Sequence, residues 1–165
     1  MTTPTIRVPN ASDIPGLASL RVKYAEEQKD VSAAGDKDFQ RRFDAWYNAT
    51  AAVSCWRIAE LDQTLVGVVH MFKHLRMPIP NYDPGGWGYV SLLYVQPEYR
   101  GNGLGARLLQ AIEQEASSLG FSKVLLNPTE KATPLYHRCG YRPADSHLVH
   151  KLAPTTRPAT GTAAR

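Results

Sequence analysis

Cysteine is scarce in this chain: Cys55 and Cys139 are the two among 165 residues. Two thiols cannot build a disulfide framework, and no CxxC or Cys/His spacing suits a metal ion. Both are read as free thiols in a reduced compartment. Long apolar runs are also missing. Nothing approaches the roughly 20 residues that cross a bilayer, so no membrane partner is expected. The opening stretch "MTTPTIRVPNASDIPGL" lacks a charged segment followed by an apolar one. It is not read as a secretory signal, and a cytoplasmic location is expected. Excess charge is small. The net charge is +4, and Arg157 and Arg165 near the C-terminal end supply two of those charges. A balance this weak argues against nucleic acid as a partner, yet suits an anionic small ligand.

What is present suits one globular domain. Residues are 43% hydrophobic and 21% charged, and the length allows a core without staples. "TIRV" reads as a short strand. "NASDIPGLASLRVKYAEEQ" reads as a helix, with Ser12 or Asp13 as N-cap and Pro15 in its first turn. "DKDFQRRFDAWYNAT" reads as a second helix, with Phe39, Phe43, Trp46 and Tyr47 on one face. "AVSCWRIAEL" and "TLVGVVHMFKHLRM" read as a hairpin around Asp62-Gln63. "WGYVSLLYV" is a third long strand, ended by Pro97. A helix then runs to about Leu119 and stops at Gly120. "SKVLLN" reads as a strand covered on both faces, "TPLYHRCGY" as a short helix, "SHLVHKL" as a last strand. Residues 153–165 are Thr-, Pro- and Ala-rich and read as a disordered tail. The order predicts an α/β (α+β) domain with a mixed sheet.

Between the third long strand and its helix lies "QPEYRGNGLGA", with three glycines in five residues. A helix N-terminus carries unpaired N–H groups and partial positive charge, and glycines there let an anion reach the backbone. Arg100 adds a charge at the edge of the same place. Three phosphate motifs compete. GxxxxGK[ST] does not occur. GxGxx[GA] is met by Gly101, Gly103 and Ala106, but "QPEY" separates it from the strand. The acidic residue expected about 20 positions on is also missing, which disfavours a dinucleotide-binding oxidoreductase. The third pattern is [QR]xxGx[GA], met from Arg100 to Gly105.

With that pattern in place, "LYVQPEYRGNGLGARLLQAIE" resembles the pyrophosphate-binding segment of the GNAT acetyltransferase superfamily. "NPTEKATPLYHRCGY" resembles the second signature of the same family. Two helices between the first two strands, then a long hairpin, match its topology. The resemblance covers residues 5 to about 152, so residues 1–152 are expected to form a single GNAT-like domain. It implies a central, mostly antiparallel mixed sheet with helices on both faces. A splayed strand pair in that sheet would hold coenzyme A. It further implies an enzyme that moves the acetyl group of acetyl-CoA directly to a primary amine.

Site residues follow from the same resemblance. The pyrophosphate would lie against Arg100, Gly101, Asn102, Gly103, Leu104, Gly105 and Ala106. Backbone groups of Leu93, Tyr94 and Val95 would hold pantetheine and polarise the thioester, with Asn127 on the far strand. Arg138 is a further candidate for the phosphates, and Thr129 stands where many members carry asparagine. Tyr136 would give a proton to the leaving thiolate. Members often carry a carboxylate base at the position of Ser91. A serine is no base at neutral pH, but it can position a water. His70, Glu60, Asp83 and proton loss to solvent stay open as alternatives. Cys139 would need an activating base for a covalent route, and none is legible.

Acceptor choice is assigned to the first two helices and the loop "RMPIPNYDPGGWGY". Their aromatics and the acids Glu26, Glu27, Asp30 and Asp83 suit a cationic small-molecule amine. A protein or peptide amine, or a non-catalytic acyl-CoA-binding module, stay as alternatives. Dimerisation is common in the family, and no residue here fixes a homodimer.

Overall fold

The computed structural model describes residues 3–28 and 36–144. The predicted last strand and tail lie outside the described residues. Strands are β1 (Thr5–Arg7), β2 (Ser54–Leu61), β3 (Thr64–Leu75), β4 (Gly86–Val95) and β5 (Val124–Leu126). Helices are α1 (Ile14–Glu27), α2 (Phe39–Thr50), α3 (Leu104–Ser118) and α4 (Thr133–Arg138). The sheet runs β1-β2-β3-β4-β5. Its first four strands pair antiparallel, and β5 pairs parallel to β4.

Each face of the sheet is covered by one pair of helices. Trp56, Ile58, Val68, Leu92 and Tyr94 pack on Leu17, Leu20 and Phe43 of α1 and α2. Val69, Met71, Val90 and Val95 pack on Leu104, Leu108, Leu109 and Ile112 of α3, and on Tyr136 of α4. The buried positions of α3, Leu104, Leu108, Leu109, Ile112 and Ala116, recur at the three- and four-residue spacing of one helix stripe, which meets the sheet. Each such leucine or isoleucine contributes about 1.5–3 kcal/mol by leaving water.

One local reading is refined and one corrected. Asp13 takes the N-cap position of α1 as expected, but its side chain makes no cap hydrogen bond there. Asn10 caps a short 3-10 turn at Ala11–Asp13, accepting from Ser12 N–H at 2.8 Å. The Asp13 carboxylate instead accepts from Asn10 N–H and from both terminal nitrogens of Arg7, at 2.7–2.8 Å. The correction concerns β5, whose three residues are half-buried rather than enclosed. It pairs with β4 over Gly88–Val90 alone, and then the two strands part.

That parting, and a bulge in β4, position the site. The register between β3 and β4 shifts between His70 and Met71: Met71 faces Val90, whereas His70 faces Leu92. Ser91 is the extra residue. Val90 and Leu92, two positions apart, therefore pack on opposite faces of the sheet. A regular strand would put them on one face. Bulges re-aim side chains in this way, often beside functional sites.

Candidate active site

Beyond Val90, β4 has no β5 partner among the described residues, and a cleft of about 350 Å³ opens beside it. Ser91, Leu93, Tyr94 and Val95 line one side. Asn127, Thr129, Leu135, Tyr136 and Arg138 line the other, and Gly101 with Gly103–Ala106 line one end. Tyr24, Glu27 and Gln28 of α1 complete it. Of the residues expected to hold coenzyme A, Asn102 is the exception: it is exposed and does not line the cleft.

The three glycines serve two purposes. Gly101 and Gly103 have φ of +83° and +75°, a region that side chains disfavour. A Cβ at either would meet nothing within 4 Å, so backbone angle alone calls for glycine there. Gly105 has ordinary backbone. A Cβ on it would come within 3.3 Å of Leu135 Cδ2, so its glycine lets α4 pack on α3. Gly103 is the N-cap of α3 and makes no side-chain cap bond. The first internal bond runs from Arg107 N–H to Gly103 O at 3.1 Å. The N–H groups of Leu104, Gly105 and Ala106 thus have no acceptor within the helix. They form a cradle of donors at its positive end.

Arg100 lines the same cleft, with its side chain already paired. Its terminal nitrogens donate to both carboxylate oxygens of Glu27 at 2.8 and 2.6 Å, and its Nε donates to Val95 O at 2.8 Å. Its guanidinium lies 5.5 Å from the Tyr94 ring centre. Lys131 also reaches Glu27, at 3.4 Å. The pair with Arg100 holds the Glu27 carboxyl below its ordinary range. Glu27 is therefore spent on fastening α1 to the glycine turn, rather than standing free to attract an amine.

Tyr136 is buried on the cleft wall, edge-to-face with Tyr141 at 5.7 Å. Burial pushes its hydroxyl up to about 12, so it keeps its proton and can donate it. Burial also raises the Cys139 thiol, with Glu113 adding to the effect. Among the described residues, no base is hydrogen-bonded to it. Both cysteines are free. Asn127 Nδ2 donates to Tyr89 Oη at 3.2 Å, which ties the end of β5 to β4.

The other proton-acceptor candidates separate clearly. Glu60 accepts from Arg7 Nε at 2.7 Å, on the β1–β2 side of the sheet. Asp83 accepts from Gly85 N–H at 2.9 Å within its loop, and does not line the cleft. His70 is buried and meets the site only through Ser91. Ser91 Oγ, exposed in the cleft, is 2.5 Å from His70 Nδ1. On the other side of the ring, Ser54 Oγ is 2.9 Å from His70 Nε2.

No helix among the described residues is long and apolar enough to cross a membrane, and no acidic, Cys or His cluster among them suits a metal ion. Comparison with known proteins agrees with this architecture. A crystal structure of a predicted acetyltransferase with acetyl-CoA, from Clostridium acetobutylicum, superposes with a TM-score of 0.73 over 90% of this chain and 96% of its own, at 21% identity. In sequence, the chain is 37% identical to a glucosamine 6-phosphate N-acetyltransferase of Trypanosoma brucei brucei over 65 residues, 38% of this chain and 44% of the relative. It is 50% identical to an IAA acetyltransferase of Azospirillum brasilense over 42 residues, 26% and 28% of the two chains. The chain thus spans less than half the length of either curated relative. The model of the acetyltransferase (GNAT) family matches residues 19–141, the stretch that holds the cleft walls, the glycine turn and Tyr136. By that match, this chain belongs to the GNAT acetyltransferase family.

Proposed function

We propose that this protein transfers an acetyl group from acetyl-CoA directly to a primary amine of a small molecule. The observation that carries the reading is the parted β4–β5 pair. It opens one cleft that contains, in order, an anion cradle, a strand edge with no strand partner among the described residues and a protonated tyrosine. The amides of Leu104, Gly105 and Ala106 suit a pyrophosphate. The Leu93–Val95 edge, which no second strand pairs among the described residues and where Val95 O alone is taken by Arg100 Nε, suits an extended, amide-bearing arm, because such an edge offers backbone donors and acceptors. Tyr136 suits the sulfur end.

Chemically, a neutral amine attacks the thioester carbonyl and the C–N bond forms. The C–S bond breaks with its electron pair on sulfur. Tyr136 gives that sulfur a proton. The surplus proton on nitrogen leaves to water. Covalent transfer through Cys139 is disfavoured by its raised pKa. A small acceptor is supported by the names of two relatives, a glucosamine 6-phosphate N-acetyltransferase and an IAA acetyltransferase.

The test is free-thiol release from acetyl-CoA with polyamines, aminoglycosides, amino sugars, amino acids and short peptides. Amine-dependent release with a small amine, falling in Tyr136→Phe, is the expected result. Release with peptides alone would move the acceptor to proteins. No release from any amine, with acetyl-CoA still raising the melting temperature, would leave a binding module.

A further inference from the structure

The cleft holds one polar side chain whose support lies entirely behind it. Ser91 is the bulge residue of β4, exposed in the cleft, with its hydroxyl against His70. We propose that Ser91 aligns the attacking amine by accepting one of its N–H groups, and that His70, anchored by Ser54, is the positioning residue that aims the Ser91 hydroxyl. This rests on the acetyl-transfer reading above.

Three observations carry it. The first is location. Ser91 lies two residues before Leu93, on the same strand edge that the thioester arm would follow. A group there is placed to meet the nucleophile. The second is the bulge. An unbulged strand carries one side chain opposite His70; here both Ser91 and Leu92 oppose it, and Leu92 fills the core while Ser91 stays exposed. The third is the environment of His70. It is 1% exposed, with Trp56 and Phe72 ring centres 4.1 and 4.4 Å away and Trp46 at 5.5 Å. Its hydrogen-bond partners among the described residues are the two serine hydroxyls alone.

The two hydroxyl contacts fit either neutral tautomer, and the proposed role selects the one with its proton on Nε2. A neutral imidazole has one donor and one acceptor nitrogen. With Nε2 carrying the proton, Nε2–H donates to Ser54 Oγ and Nδ1 accepts from the Ser91 O–H. The Ser91 proton is thereby committed to the ring, and its lone pairs are left to the cleft. Such a serine accepts an amine N–H and cannot compete as a donor for the amine lone pair, which must stay free for attack. A ring held neutral by burial keeps this arrangement throughout the working pH range. His70 stores no proton in this scheme, so the amine's surplus proton still leaves to water.

Ser91→Ala, His70→Gln and His70→Asn separate the roles. An Asn amide oxygen occupies roughly the place of Nδ1 and can accept from Ser91, whereas Gln reproduces the Nε2 side towards Ser54. With an amine that the wild type accepts, Ser91→Ala and His70→Gln should each lower kcat about tenfold, the effect of one aligned hydrogen bond. The KM for acetyl-CoA should stay unchanged, and His70→Asn should recover most of the loss. Ser91→Ala keeps the test valid if the buried substitutions do not fold, since it removes one exposed oxygen. Ser91→Ala within twofold of wild-type kcat would overturn the proposal. So would folded His70→Asn as slow as His70→Gln, because His70 would then be carrying a proton. Wild-type protein that releases no thiol with any amine would instead overturn the acetyl-transfer reading, and this inference with it.

Discussion

Acidification from pH 7 to pH 5 should cost this fold about 2 kcal/mol through the single side chain His70. Burial lowers its pKa from 6.5 to about 4, with no described carboxylate among its hydrogen-bond partners to oppose the shift. In the unfolded chain the ring returns to its ordinary value. Between those two values the unfolded state binds more protons than the folded one, so stability rises with pH across that window. The contribution is complete above 6.5 and is lost as pH falls towards 4. The loss accumulates across the whole interval, as the unfolded ring takes up its proton below 6.5 while the folded ring stays almost neutral down to pH 5. Asp13 and Glu27, held low by Arg7 and Arg100, act in a different window. Their contribution is present above the ordinary carboxylate range and is lost as pH falls through their depressed values. The assay is urea unfolding at pH 7 and pH 5, for the wild type and His70→Asn. All other titrations are common to both proteins. The wild type should lose about 2 kcal/mol more than the variant, or about 4–8 °C in melting temperature. Equal losses would show that His70 is solvated or charged in the folded protein, and would refute the reasoning.

Further outcomes follow from the same geometry. Tyr136→Phe should lower kcat by about 10²-fold or more while leaving the melting temperature nearly unchanged, measured by thiol release and calorimetry. Gly103→Ala meets no atom but must hold φ at +75°, so it should cost about 1–2 kcal/mol in urea unfolding and raise the KM for acetyl-CoA. Gly88→Ala would place a Cβ 2.2 Å from Met71 Sδ in the core, and should destabilise by about 1–3 kcal/mol. Glu27→Gln removes the partner of Arg100. Both groups are partly exposed, so the cost should stay near 1 kcal/mol and shrink with added salt.

The glycine turn was legible in the sequence because its requirement is local. Two positions need a left-handed backbone and one needs a missing Cβ, and glycine is how a chain states both. The ends of β4 and α3 were legible for the same reason, marked by Pro97 and Gly120. Pairings across long separations were not. Glu27 and Arg100 are 73 residues apart, and nothing in either segment names the other. The burial of β5 was misread because an apolar run does not say how long its neighbour stays beside it. "SKVLLN" looks enclosed, yet β4 leaves after three pairs.

The meeting of His70 and Ser91 sits between these cases. "VSLLYV" is apolar on both faces, so its side-chain period cannot reveal a bulge. Each of the two paired strands nevertheless carries a polar interruption within its apolar stretch, His70 in β3 and Ser91 in β4. A buried polar group needs a partner, and one interruption opposite another is the cheapest way for two strands to provide it. The hairpin register supports this directly. Counting inwards from Leu75 opposite Gly86, Met71 falls opposite Val90, and a regular next step would put His70 opposite Ser91. The bulge begins at that step, where Ser91 is the additional residue and Leu92 takes the regular place. Register, polar pairing and bulge thus converge on one position. It is the position at which β4 also loses its other neighbour, so the residue freed from the ladder on one side meets the cleft opened on the other.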